Sequence, residues 1–240
     1  MGKYFIILLL MYCSWNRTYA VPTTITDLIP KSYIIIDSAQ TDFNNDGLLD
    51  FALVVRAKDS IILKTDTVCF GDSVYYPKQI MIFFAERNKQ YKLSITTSVI
   101  FGSCNWGIQG SDPFRKIGVK KNCLTISLMT GGTLRCELLY TVRFQNNDWY
   151  IIGATSNVYQ VPYSDLYVTD IDLITGNSDH YVLRERKSSY TKRVKPNLAI
   201  LYRHKKFDYK RIKIPLKPLL KINDLIPETE IDPLWDWAKG

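Results

Sequence analysis

The sequence predicts a mainly β fold: antiparallel four-strand meanders, similar in plan to propeller blades, lying open or sandwiched, with few short helices. Three observations carry this. Apolar and β-branched residues alternate in short runs along most of the 240 residues, polar turn clusters bound the runs, and no stretch holds a long helical period. A composition of 46% hydrophobic and 22% charged residues is that of an ordinary globular chain, which excludes a disordered tail or a fibrous repeat. Two histidines, His180 and His204, leave little room for His-rich zinc sites or a Ser/His/Asp relay.

The elements follow in order. Lys3, an apolar run from Phe5 to Tyr12 and the small residue Ala20 two places after Thr18 predict a cleaved secretion signal over 1–20. Asn16 and Arg17 break the run well short of the ~20 apolar residues that a membrane span needs. The mature chain is then expected to be secreted or periplasmic, without a transmembrane segment, and to form one β-rich domain over 21–240 with subunits 21–100, 101–160 and 161–240. Strands are predicted at 32–37, 51–56, 79–86 and 91–99, a first meander whose last turn is Arg87, Asn88, Lys89 and Gln90. A second set is predicted at 117–120, 124–129, 134–144 and 149–154. Its turns are Lys121-Asn122, Thr130-Gly131-Gly132 and Asn146-Asn147, all residue types that turns favour. The third set, 166–174, 180–185, 198–202 and 209–214, is interrupted by Pro196, Pro215 and Pro218, which points to sheet edges. Short helical turns are expected only at 26–29 and 227–238.

Outside the signal lie four cysteines, Cys69, Cys104, Cys123 and Cys136. An even number in an oxidising compartment suits disulfides. Three pairings remain open, with buried thiols as the other reading. No CxxC spacing occurs, so a zinc or redox centre is not expected.

One turn carries chemistry in its spacing. From Asp42 to Asp50 the chain reads Asp-Phe-Asn-Asn-Asp-Gly-Leu-Leu-Asp, with oxygen side chains at places 1, 3, 5 and 9 and Gly47 at 6. Hard cations are held by such oxygens, and place 7 would add the backbone carbonyl of Leu48. The twelfth place is Leu53, where a helix-loop-helix calcium site has a bidentate glutamate, and both flanks read as strands. The segment DFNNDGLLDFALVV resembles the strand-loop-strand calcium motif of FG-GAP repeats (integrin α-type, VCBS). A wider similarity, through GSCNWGIQGSDPF and NNDWYIIG, is to uncharacterised secreted bacterial proteins with a single such motif. The resemblance implies calcium at Asp42, Asn44, Asp46, Leu48 and Asp50. Since the motif occurs once, it does not imply a propeller or integrin-type ligand binding.

Other candidates rest on single features. The Gly-bounded stretch 102–114 offers Trp106 and Asp112 as a binding loop. Asp112 with Glu137 is a conceivable glycosidase pair, though nothing in the sequence positions them. Residues 184–221 hold 14 Lys or Arg against Glu185 and Asp208, a local charge of +12 in a chain of +8. Arg203, Lys205, Lys206, Lys210, Arg211 and Lys213 therefore make a basic surface, read as solvated strand faces or as contact with an anionic glycan, an envelope component or a protein. Secretion makes nucleic acid an unexpected partner. The functional expectation is a non-enzymatic binding or structural protein with a calcium-stabilised β-hairpin loop. The alternatives are an envelope-polymer hydrolase and an inhibitor or immunity protein that meets an acidic partner.

Overall fold

A computed structural model describes residues 24–63, 73–101, 107–160, 165–183 and 207–225. The signal, Cys69, Cys104, Trp106, Arg203, Lys205 and Lys206, and the predicted elements at 198–202 and 227–238, lie outside the described residues. Within them the architecture is antiparallel β, with 3-10 turns and no α-helix. Thirteen strands are described: β1 (Tyr33–Thr41), β2 (Asp50–Ala57), β3 (Ile61–Leu63), β4 (Ser73–Tyr75), β5 (Lys78–Ala85), β6 (Tyr91–Thr97), β7 (Phe114–Lys120), β8 (Cys123–Gly131), β9 (Leu134–Gln145), β10 (Asp148–Gln160), β11 (Leu166–Asp172), β12 (Asn177–Leu183) and β13 (Phe207–Lys213).

The first meander forms a four-stranded sheet in the order β1-β2-β5-β6. Between β2 and β5 the chain makes a separate two-stranded hairpin, β3-β4, that the sequence pattern did not reveal. The remaining strands, β7 to β13, form one seven-stranded meander in chain order, so the second and third predicted sets share a sheet. Two of its turns show why the residues are what they are. Lys121 and Asn122 (φ 49° and 58°) and Asn146 and Asn147 (φ 50° and 60°) are two-residue connections with both residues in the left-handed region. That twist matches the flanking strands, and asparagine tolerates it.

The sheets pack face to face. Ala52, Val54, Ile80 and Ile82 of the smaller sheet meet Ile126, Leu138, Tyr140, Val142, Trp149 and Ile151 of the larger in one core. Leu53, Val55, Met81 and Phe83 point the other way and are packed by Tyr33, Phe51, Tyr91 and the 3-10 turn Ile25–Leu28. Burial on both faces accounts for the unbroken apolar runs of β2 and β5, where a strand with one wet face would alternate. Each such side chain withdrawn from water stabilises the fold by about 1.5–3 kcal/mol.

A carboxylate joins the sheet edges. The register of β1 slips between Ile35 and Asp37, and Asp37 Oδ2 accepts the backbone N–H of Ile117 on β7 at 2.8 Å. The cysteine expectation is corrected in one respect. Cys123 and Cys136 are buried and form no disulfide with one another. Cys136 lies opposite Thr130, seven residues along β8 from Cys123, a distance of roughly 23 Å at strand rise, far beyond bridging range. Burial pushes the Cys123 thiol above its ordinary range.

Candidate functional site

Residues 42–49 connect β1 to β2 at one end of the sandwich. The loop turns tightly because Asn45 (φ 61°) and Gly47 (φ 86°) both enter the left-handed region. A Cβ on Gly47 would touch nothing within 4 Å, so backbone conformation, not space, requires the glycine.

Side-chain oxygens fold back on the loop's own backbone. Asp42 Oδ1 and Asn44 Oδ1 both accept the N–H of Asp46 at 3.0 Å, which keeps those oxygens within two hydrogen-bond lengths of each other. Asp42 Oδ2 accepts the N–H of Gly47 at 2.9 Å, and Asp46 Oδ1 that of Leu48 at 2.8 Å. The Asn44 amide donates to Asp46 Oδ2 at 2.9 Å. Asp50 differs from these: it has no exposed surface, and its oxygens accept the N–H groups of Phe43 at 2.8 Å and Ala85 at 2.9 Å. Burial pushes its carboxyl above the ordinary range. The N–H groups of Ala85, Phe43 and Asn44 pull the other way, and the Asp46 carboxylate adds to the push.

The loop also fastens the two sheets. Phe43 is buried with its ring edge-on to Trp149 of β10, centroids 5.5 Å apart. Across the sandwich, Asn122 in the β7-β8 turn donates to Asn45 Oδ1 at 3.3 Å and accepts from Thr41 Oγ1 at 3.1 Å. The β1-β2 loop and a turn of the opposite sheet therefore form one polar clasp above an aromatic plug.

The donor chemistry suits a hard cation. An ionised carboxylate has about four acceptor sites, and the backbone N–H groups that meet Asp42 (two) and Asp50 (three) leave lone pairs over. No Lys or Arg occurs between Asp42 and Asp50 to neutralise the three aspartates. As the side chains stand, among the described residues no group of three or more His, Cys, Asp or Glu is gathered in a way that could hold a metal.

The other predicted residues fall elsewhere. Asp112 is ion-paired with the buried Lys78, Nζ to Oδ2 3.1 Å, and its second oxygen accepts the N–H of Phe114 at 3.0 Å. Nothing in the sequence around Lys78 marks it as a buried cation. Its ammonium stands over the Tyr75 ring, 4.9 Å from the centroid. Glu137 alternates with the core residues Cys136 and Leu138 and so points to the outer face of the larger sheet. There it accepts from Tyr159 at 3.2 Å. Asp112 and Glu137 thus have separate partners and separate settings.

Of the basic set, Lys210, Arg211 and Lys213 lie on the edge strand β13. Arg211 grips Asp179 with Nε at 2.6 Å and Nη2 at 2.7 Å. That bidentate pair holds the Asp179 carboxyl below its usual range, the Arg211 hydrogen bond being the largest cause. Lys213 Nζ donates to the carbonyl of Thr175 at 2.6 Å. Lys210 lies opposite His180, a buried-side histidine whose ring nitrogens meet Thr169 Oγ1 at 3.1 Å and Ser178 Oγ at 3.0 Å. Desolvation, then Lys210, lowers the His180 pKa. The i, i+2 spacing of Ser178 and His180 was visible in sequence, but Thr169 arrives only through the β11-β12 register.

No family model, no curated protein and no solved structure matches this chain.

Proposed function

We propose that the protein is a non-catalytic, secreted or periplasmic β-sandwich of contact or structural type, in which a calcium ion taken up by the 42–50 loop braces the clasp between the two sheets. The observation that supports it is the buried carboxylate of Asp50 at the root of a loop carrying Asp42 and Asp46 and no cationic side chain. Like charges so placed repel one another, and a divalent cation relieves all three at once. Calcium fits better than magnesium because carboxylate, amide and carbonyl oxygens on a flexible loop suit a large, irregular shell. Asp42, Asn44, Asp46 and Asp50 would supply side-chain oxygens and Leu48 its carbonyl, as the FG-GAP resemblance implies. The reading agrees with the seating of the loop. Phe43 and Asn45 both reach the larger sheet, at Trp149 of β10 and at Asn122 of the β7-β8 turn, while the loop itself joins two strands of the smaller one, so ordering the loop steadies the sandwich.

The hydrolase alternative draws no support from Asp112, whose carboxylate is engaged by Lys78 and Phe114. An anionic partner at β13 draws little, since Arg211 and Lys213 already have acceptors within the fold. Terbium, a luminescent stand-in for calcium, tests the proposal. Excitation of Trp149, which contacts the loop through Phe43, should sensitise terbium emission that calcium competes away. Asp42→Ala with Asp46→Ala should abolish it. Emission unchanged in that double variant would refute the site.

A further inference from the structure

We propose that the outer face of the seven-stranded sheet binds a hydroxyl-rich saccharide unit at Arg135, Glu137, Asn157 and Tyr159. The four form a two-by-two block on adjacent strands: the register sets Arg135 opposite Tyr159 and Glu137 opposite Asn157. Strand alternation fixes the face, because Cys136, Leu138 and Val158, which lie between or beside them, pack into the inter-sheet core. All four are half-buried, reachable from solvent yet partly dried.

Glu137 organises the block. It accepts from Tyr159 Oη at 3.2 Å and from Asn157 Nδ2 at 3.4 Å. Two atoms are then left over. Arg135 Nε, a donor, and Asn157 Oδ1, an acceptor, are both shielded from water and have no hydrogen-bond partner among the described residues. An unsatisfied buried polar atom costs about 1–3 kcal/mol, and native structures hold few of them. Here an unpaired donor and an unpaired acceptor stand at diagonal cross-strand positions, roughly 7–8 Å apart at the backbone. Both side chains are half-buried, so a small rotation brings the two atoms to the surface, where a ring carrying neighbouring hydroxyls answers both, since each hydroxyl donates and accepts. The Tyr159 ring offers an apolar surface for the sugar's C–H face. One guanidinium beside one carboxylate leaves the block neutral, which favours an uncharged sugar over an anionic one.

The inference rests on the contact role proposed above and not on the cation. Backbone amide spectra recorded during titration with the methyl glycosides of glucose, galactose and N-acetylglucosamine test it. Shifts should gather at Arg135, Glu137, Asn157 and Tyr159 for at least one glycoside. Arg135→Met and Asn157→Leu should each weaken that binding tenfold or more with a melting temperature no lower than that of the wild type. Three glycosides without shifts, or shifts that persist in both variants, overturn the inference and leave the contact role standing. Shifts caused by a blocked tripeptide amide and by none of the glycosides assign the block to peptide and overturn it equally. Release of methanol from a glycoside would instead overturn the non-catalytic reading.

Discussion

The acidic loop between β1 and β2 and the basic edge strand β13 both stand out in sequence as concentrations of charge, yet the fold treats them oppositely. On β13 the cations are matched from within: Arg211 by Asp179, Lys213 by the Thr175 carbonyl. In the loop, Asp42, Asn44 and Asp46 hydrogen-bond, among the described residues, only one another and the backbone. A charge excess read along the chain therefore says little about a partner until internal counter-charges are counted. The loop is the region whose carboxylates meet backbone N–H groups and an amide, with no cationic side chain among the described partners.

The difference can be sharpened by substitution. The largest effect is expected at the plug. Phe43→Ala should lower the unfolding free energy by about 3–5 kcal/mol in urea titration, the usual result of emptying a buried aromatic site. A loss below about 1 kcal/mol would mean the loop is not seated under Trp149. Next is the root of the loop. Asp50→Ala strips the acceptor from the N–H groups of Phe43 and Ala85, leaving two buried donors unpaired, and should cost about 2–3 kcal/mol. Asp50→Asn keeps an acceptor and should cost less, which separates hydrogen bonding from charge.

The smallest effect is expected on the basic strand. Arg211→Ala should lower the melting temperature only slightly, because the guanidinium is exposed and screened. Its pH dependence has a fixed sign. The Asp179 carboxyl sits below its usual range in the folded protein, so the pair's contribution is complete above the unfolded carboxylate pKa of about 3.9 and disappears as pH falls through the lowered folded value. The melting curves of wild type and Arg211→Ala should accordingly converge on acidification below about pH 4. A gap at pH 7 as large as that of Asp50→Ala, or one that widens in acid, would place β13 in the same class as the loop.

What was legible in sequence follows the same division between local and distant causes. Strands β2 and β5 are legible because burial on both faces writes itself as an unbroken apolar run. The Lys121-Asn122 and Asn146-Asn147 turns are legible because few residues accept left-handed φ. The loop is legible in its donor spacing but not in its seating. Nothing near Asp50 foretells that its oxygens meet an N–H from β5, 35 residues away. Strands β3 and β4, three residues each, are too short to show a period. Lys78 with Asp112, and Asp37 with Ile117, pair residues that only the packing of separate elements brings together. The third strand set reads as separate from the second because it is less regular and is broken by Pro196, Pro215 and Pro218, whereas sheet continuity depends on pairing across β10 and β11.

Thermal unfolding of the protein in millimolar calcium and in excess chelator is the most direct test of the proposed cation clasp. A ligand at a hundred times its dissociation constant adds about 2.7 kcal/mol. For a chain of this size that raises the melting temperature by about 5–10 °C, and the gain should vanish in Asp42→Ala. Superimposable curves in the two buffers would contradict the account.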